Sequence, residues 1–569
     1  MHRALFLLIA TLAGCSFPSP TRAPNGTLAG RDSATSSPVA ESPPEPKAEW
    51  LAAAEEIDAA TLAGPIRLLA DDGFEGRGPG TRGDALTRAY LESEMLSLGL
   101  HPAADGAWQQ PFELLGITST APPQWELARD GARLTLERGR DFVALSLQPR
   151  AQVAFTDAEV VFVGYGIEAP EYRWDDFKGV DVRGKVVLIL NDDPDWDPEL
   201  FAGKRRLYYG RWTYKVENAG RHGAVAVILL HTTESASYPW QTVQTSWSGE
   251  NSRLPGDSGA EIAVQAWISE DAGHRLAAFA GQDLSRLIES ARRRDFRPVP
   301  LGVRTSLAID NRVRSYRSAN VVGMLPGRDP QQARASVVYT AHHDHLGMRS
   351  DPDGQATIYN GAMDNAAGLA QMLAVARAFR ALPAPPARSV LFVALAAEEQ
   401  GLLGSQYFTR HPPAAAADMV AAINFDGGNL WGLTRDVAVT GFGKSTIDSW
   451  AAVAAARQGR VLVDERFPER GSFYRSDQLN FARAGVPVLY ATSGIDFRGR
   501  PDGWGRERED EWIARHYHQP SDDFDPAWDL SGMVEDAQLA FEVGVALAES
   551  TARPRWLPGD EFERAAVGR

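Results

Sequence analysis

Cysteine is almost missing from this chain of 569 residues: Cys15 is the only one, so no disulfide can form within it. Beyond the first residues no run is long and apolar enough to cross a membrane, which takes about 20 residues. Positive charge is short as well. Lys and Arg number 58 against 74 Asp and Glu, a net charge of -16. Such a surface repels phosphate backbones and argues against a nucleic-acid partner. There is no Gly-X-Ser-X-Gly elbow, which speaks against a serine hydrolase. There is no His-Glu-X-X-His, which speaks against a single-zinc, thermolysin-like mechanism. The run Gly76-Arg77-Gly78-Pro79-Gly80 lacks the Lys-Ser/Thr of a phosphate loop and reads as a plain turn.

What is present begins with a targeting segment. His2 and Arg3 precede an apolar run, Ala4 to Ala13, too short for a transmembrane helix. It ends in Leu12-Ala13-Gly14-Cys15, which resembles a bacterial lipobox. The expectation is cleavage before Cys15, lipidation of Cys15 and attachment to a membrane of the bacterial envelope. The plainer alternative is an ordinary signal peptide with a chance cysteine. Residues 15–48 are rich in Pro, Ser, Thr, Ala and Gly and read as a disordered tether.

Order is expected from residue 49. Leu86, Tyr90, Leu91, Met95 and Leu98 have helical spacing and end at Gly99. Residues 49–125 form the first part of a catalytic domain, 126–308 an insert, and 309–555 the rest. In the insert, Glu159–Gly164, Lys185–Leu190 and Ala224–Leu230 read as strands. In the last part, Ser336–Thr340, Ser389–Leu395 and Val420–Phe425 are apolar strands that alternate with helical stripes. This pattern predicts an α/β, three-layer sandwich with a mostly parallel mixed sheet.

Acidic and imidazole groups fall where these strands end, the edge at which open α/β sheets bind ligands. His342 and Asp344 follow one strand, Glu398 and Glu399 another, and Asp426 the third. Asp364 opens a helix, and His518 lies in a late loop. Carboxylates buried together are costly unless a cation offsets them, and carboxylate oxygen and imidazole nitrogen are normal zinc ligands. The set supplies two His and three acids for a two-metal centre, with one Glu left for proton transfer.

Five segments, in order, carry a resemblance: Ala341-His342-His343-Asp344-His345-Leu346-Gly347, Gly361 to Gly368 around Asp364, Ala397-Glu398-Glu399-Gln400-Gly401, Asn424-Phe425-Asp426, and Tyr517-His518-Gln519-Pro520-Ser521-Asp522. They resemble the bacterial and fungal two-zinc aminopeptidases, relatives of glutamate carboxypeptidase and the transferrin receptor. Val161 to Gly166, Gly184 to Ile189 and Asn218 to Val227 resemble the protease-associated domain, a smaller β-rich module. The resemblance implies two Zn2+ per chain and peptide substrates. His342 and Asp426 would bind one zinc, Glu399 and His518 the other, and Asp364 would bridge both. Asp344 would orient His342, Glu398 would act as general base, and Tyr517 would stabilise the oxyanion. The Asp364–Asn365 peptide would be cis.

One departure stands out: Gln478 replaces the usual His of a substrate-side Ser-Asp-His loop. His343 and His345 read as packing or surface residues, His516 as solvated, and Trp240 and Trp247 as packing within the insert. A carboxypeptidase and a non-catalytic binding lipoprotein stand as competing functions. The first would be separated by peptides blocked at one end, the second by metal content.

Overall fold

The strands Ala335–His342, Ser389–Leu395 and Asp418–Phe425 are buried along almost their whole length, so both faces of their sheet need cover. Side-chain alternation divides them. Val337, Tyr339, Ala341, Phe392 and Ile423 face one core, beneath the helices Ala59–Leu69, Gly368–Ala381 and Ser531–Glu549. Val338, Leu391, Val393 and Ala422 face the other, where Phe408 and Phe481 arrive from the helices Leu403–Arg410 and Gln478–Arg483. The result is a three-layer α/β sandwich. Four neighbouring strands, Val488–Leu489, Asp418–Phe425, Ala335–His342 and Ser389–Leu395, are parallel. This computed structural model describes residues 43–197, 200–256, 262–350 and 355–563. Cys15, the targeting segment and most of the tether lie outside them.

The fifth strand, Val299–Leu325, is 27 residues long and belongs to two regions at once. Its end pairs antiparallel with Ser389–Leu395, with Val321 opposite Ala394. Its middle pairs with Gln109–Thr120, and its start pairs with Gln152–Phe162, a strand of the insert. The expected boundary at 308/309 therefore falls inside a continuous ladder. Along its first half Leu301, Val303, Leu307 and Ile309 point inward and Arg304 and Asp310 outward, the period of a half-buried strand.

The insert has its own core. Gln152–Phe162, Val186–Leu190, Ala226–Leu230 and Val264–Ile268 run parallel, and Phe142–Leu145 closes the edge antiparallel. The helices Trp212–Arg221 and Glu270–Phe279 accompany this sheet, and the hairpin of Gln124–Arg129 and Ala132–Glu137 adds to the strands of the insert.

Candidate active site

Parallel strands end at one edge, and this places residues far apart in sequence side by side. His342 is the last residue of its strand, Glu398 and Glu399 follow Ser389–Leu395, and Asp426 follows Phe425. His342 Nε2 lies 3.3 Å from Asp426 Oδ1 and 3.3 Å from Asp364 Oδ1. His518 Nε2 lies 3.2 Å from Asp364 Oδ2 and 3.2 Å from Glu399 Oε2. The two oxygens of Asp364 thus face two separate groups. Glu398 also has an oxygen within 4.8 Å of the ligand atoms of His342 and Asp426. The Asp364–Asn365 peptide is cis.

The loops that carry these groups are pinned from several directions. Asp522 accepts the N–H groups of Met363 and Asp364 at 2.9 and 3.1 Å. The Asp344 carboxylate accepts the N–H groups of Glu398 and Glu399 at 3.0 and 3.2 Å, and its backbone carbonyl lies 3.2 Å from His342 Nδ1. The Asp344 carboxylate stands 3.9 Å from that nitrogen, so it positions the Glu pair more directly than the imidazole. Gly361 has φ 60°, and a Cβ there would sit 2.2 Å from the Asp364 carbonyl.

Arg77 sits in the glycine-flanked segment that reads as a plain turn, and the sequence carries no signal for its role here. It is fully buried and donates to the carbonyls of Leu69, His343 and Gly361 at 2.7, 3.0 and 2.8 Å. It ties together the His342 and Asp364 loops. Burial brings it down to about 10, partly offset by Asp522 and Asp364. No spacing rule could have found it, because its partners are backbone carbonyls up to 287 residues away.

His343 is buried against Asp84 at 3.1 Å, inside the packing. His345 departs from its expected packing or surface role. Its Nδ1 lies 2.7 Å from Glu399 Oε1, and it groups with Asp364 and Glu399 as a possible ligand. His516 is half-buried, with Nδ1 3.0 Å from the Ser521 carbonyl, rather than solvated.

Among the described residues no Lys or Arg forms an ion pair with Asp344, Asp364, Glu398, Glu399 or Asp426. Their charge falls on the imidazoles. Burial pulls His342 and His518 down, but the facing carboxylates outweigh it and hold both well above the usual imidazole range. Burial pushes Glu399 up, yet His518 and His345 bring it down to about 2. Glu398 is held well above the carboxylate range by burial, with Asp426 and Glu399 adding to it. This donor set fits divalent cations. A tetrahedral zinc with bonds of about 2.0–2.1 Å sets its ligands about 3.3 Å apart, the spacing found on each side of Asp364.

Comparison with known proteins agrees with this geometry. Residues 320–542 match peptidase family M28 and residues 155–276 match the PA domain. The M28 match covers the region that holds the strand-edge site, and the PA match covers the insert. Aminopeptidase YwaD of Bacillus subtilis (strain 168) is 25% identical over 371 residues, which cover 63% of this chain and 62% of that protein. The match therefore spans less than two thirds of that relative. The structure of an aminopeptidase from Aneurinibacillus sp. strain AM-1 shares the fold, with a TM-score of 0.51 at 19% identity, covering 88% of this chain and 95% of that one.

The PA domain does more than stand beside the strand-edge site. Its Trp212, Tyr238 and Trp247 line one cavity of about 960 Å³ together with Asp364, Glu398, Glu399, Asp426 and His518 of the strand-edge cluster. Tyr517 stacks on His518 with ring centres 3.9 Å apart and lines this cavity too. Trp240 donates to the Gly139 carbonyl, and Trp247 packs edge-on against Trp212 and Trp267, so both pack within the insert and Trp247 also faces the cavity. Gln478 is fully buried. It accepts from Asn424 Nδ2 at 2.8 Å and donates to the Phe473 carbonyl at 2.9 Å. Its departure from the family pattern therefore falls in the scaffold behind Asp426, not on the cavity wall.

Proposed function

We propose that this chain is a two-zinc aminopeptidase. The observation that carries the reading is the paired arrangement about Asp364, with imidazole and carboxylate at 3.2–3.3 Å on each side. His342, Asp364 and Asp426 would hold one ion, and Asp364, Glu399 and His518 the other. Bound zinc supplies Lewis acidity and makes water acidic enough to react at neutral pH. Glu398 takes a proton from the attacking water and returns it to the leaving amine. The Tyr517 hydroxyl donates to the oxygen on which charge develops. The name of the Bacillus subtilis relative supports release of N-terminal residues.

The decisive experiment is Glu398→Gln in zinc-loaded protein. The variant should keep two zinc ions per chain while kcat/KM falls by about 10²–10⁴-fold. Near-normal turnover would remove Glu398 from the base role, and activity that survives complete metal removal would sink the mechanism. Peptides blocked at one end or the other separate aminopeptidase from carboxypeptidase action.

The pattern Leu12 to Cys15 supports a bacterial envelope lipoprotein anchored through Cys15. Labelled fatty acid should enter the wild-type chain and not Cys15→Ser; equal labelling of both would remove the anchor.

A further inference from the structure

Two arginines line the cavity that holds the carboxylate cluster: Arg211 from the PA domain and Arg475 from the M28 part. Neither pairs with a carboxylate among the described residues. Arg475 Nη2 lies 3.4 Å from the Tyr517 hydroxyl, and its guanidinium sits 5.6 Å from the Tyr238 ring centre. Among the described residues the Arg211 side chain makes no hydrogen bond or ion pair, and its Nε is buried without a partner. Burial, with the nearby charge of Arg475, brings Arg211 down to about 9.

This is unusual chemistry for a resting wall. Both arginines are half-buried, and two like charges brought together where water is limited oppose each other. The neighbouring buried cation Arg206 shows the ordinary solution: its Nε stands 3.1 Å from Asp192 Oδ1, and its Nη1 donates to the Ser235 carbonyl at 2.6 Å. Arg211 has no such partner among the described residues. A guanidinium fork matches a carboxylate in two-pronged geometry. The arginines are also tied to the reacting centre, since Arg475 contacts Tyr517 and Tyr517 stacks on His518. An extended peptide advances about 3.3–3.6 Å per residue, so a carboxylate here belongs to a substrate with little chain beyond the scissile bond.

We propose that Arg211 and Arg475 form a carboxylate-binding subsite that selects short peptides whose anionic group lies close to the cleaved bond. The inference rests on the peptidase reading and narrows its substrate class. The anion is either the free C-terminus of a short peptide or an acidic side chain just past the bond.

The test uses zinc-loaded protein with Leu-Gly as free acid and as amide, and with Leu-Asp-amide beside Leu-Asn-amide. Wild type should favour the charged member of one pair by at least tenfold in kcat/KM. Arg211→Met should cut that preference at least tenfold, chiefly through KM, and Arg211→Lys should restore part of it. Loss on the first pair assigns the subsite to a C-terminus, and loss on the second to an acidic side chain. No preference in wild type, or equal losses on charged and neutral members, overturns the proposal. The same peptides titrated calorimetrically into zinc-loaded Glu398→Gln protein separate the two readings. Tighter binding of the charged member, abolished by Arg211→Met, carries the subsite even if nothing is hydrolysed. Equal binding of charged and neutral peptides sinks it even if hydrolysis is fast.

Discussion

Two of the clusters of ionisable groups that the molecule buries balance their charge in opposite ways. In the PA domain, Asp176, Asp192 and Asp193 surround Lys215 and Arg206. Lys215 donates to the Asp192 carbonyl at 2.6 Å, Asp193 accepts the Leu207 N–H at 2.9 Å, and Asp176 accepts the Ile167 N–H at 3.0 Å. Burial pushes Asp193 up to about 8 and brings Lys215 down to about 7. This cluster holds its own counter-charges. At the strand edge of the M28 part, acids face imidazoles and each other with no paired Lys or Arg. A cluster that closes its charge within the chain serves the fold. One that leaves negative charge open is built for something the chain does not contain.

The contrast breaks most visibly at Asp364. Asp364→Asn removes the one carboxylate that faces both groups, and zinc content should drop below two per chain with activity down by about 10³-fold or more. Full activity with intact zinc content would mean that the two sides are not joined through Asp364.

Lys215→Met should do the reverse. Stranding the buried acids should cost about 3–5 kcal/mol in urea unfolding, while zinc stoichiometry per folded chain holds. A loss of zinc without a loss of stability would erase the distinction between the clusters.

A smaller effect is expected at Glu465, where the two regions meet. Its carboxylate pairs with Arg205 of the PA region at 2.8 Å, yet burial, the largest influence, holds it up at about 7 from an ordinary 4.5. The folded state thus binds a proton that the unfolded state has released. Stability from this group is full below about pH 4.5 and is lost as pH rises through about 7. Glu465→Gln should flatten the fall in melting temperature between pH 5 and 8, a change on the order of 2 kcal/mol. An unchanged pH slope would place the Glu465 proton elsewhere.

Much of the strand-edge site was legible in the sequence because its parts are local. An apolar strand followed at once by His342, Glu398-Glu399 or Asp426 announces both the element and the edge it ends on. Other parts carry no local signal. Arg77 acts through backbone carbonyls, which have no sequence signature. Gln478 looked like a substrate contact because its neighbours match a substrate loop, but the helix it opens turns it toward Asn424. His345 looked like packing, and only the approach of the Glu398–Glu399 loop brings it to Glu399.

The sequence by itself determined the alternation of strands and helices, the strand ends at which charged groups emerge, and the order of the five motif segments. Those features follow from hydrophobic period and from the rule that parallel strands finish at one edge. Only the tertiary structure set the distances of the expected Asp364 bridge, with Oδ1 3.3 Å from His342 and Oδ2 3.2 Å from His518. It alone made one 27-residue strand serve both regions and brought Arg211 from the PA domain to the cavity that holds the carboxylate cluster. The physical reason is distance along the chain: these contacts join segments with no shared local pattern, and only the packing of the whole fold sets them face to face.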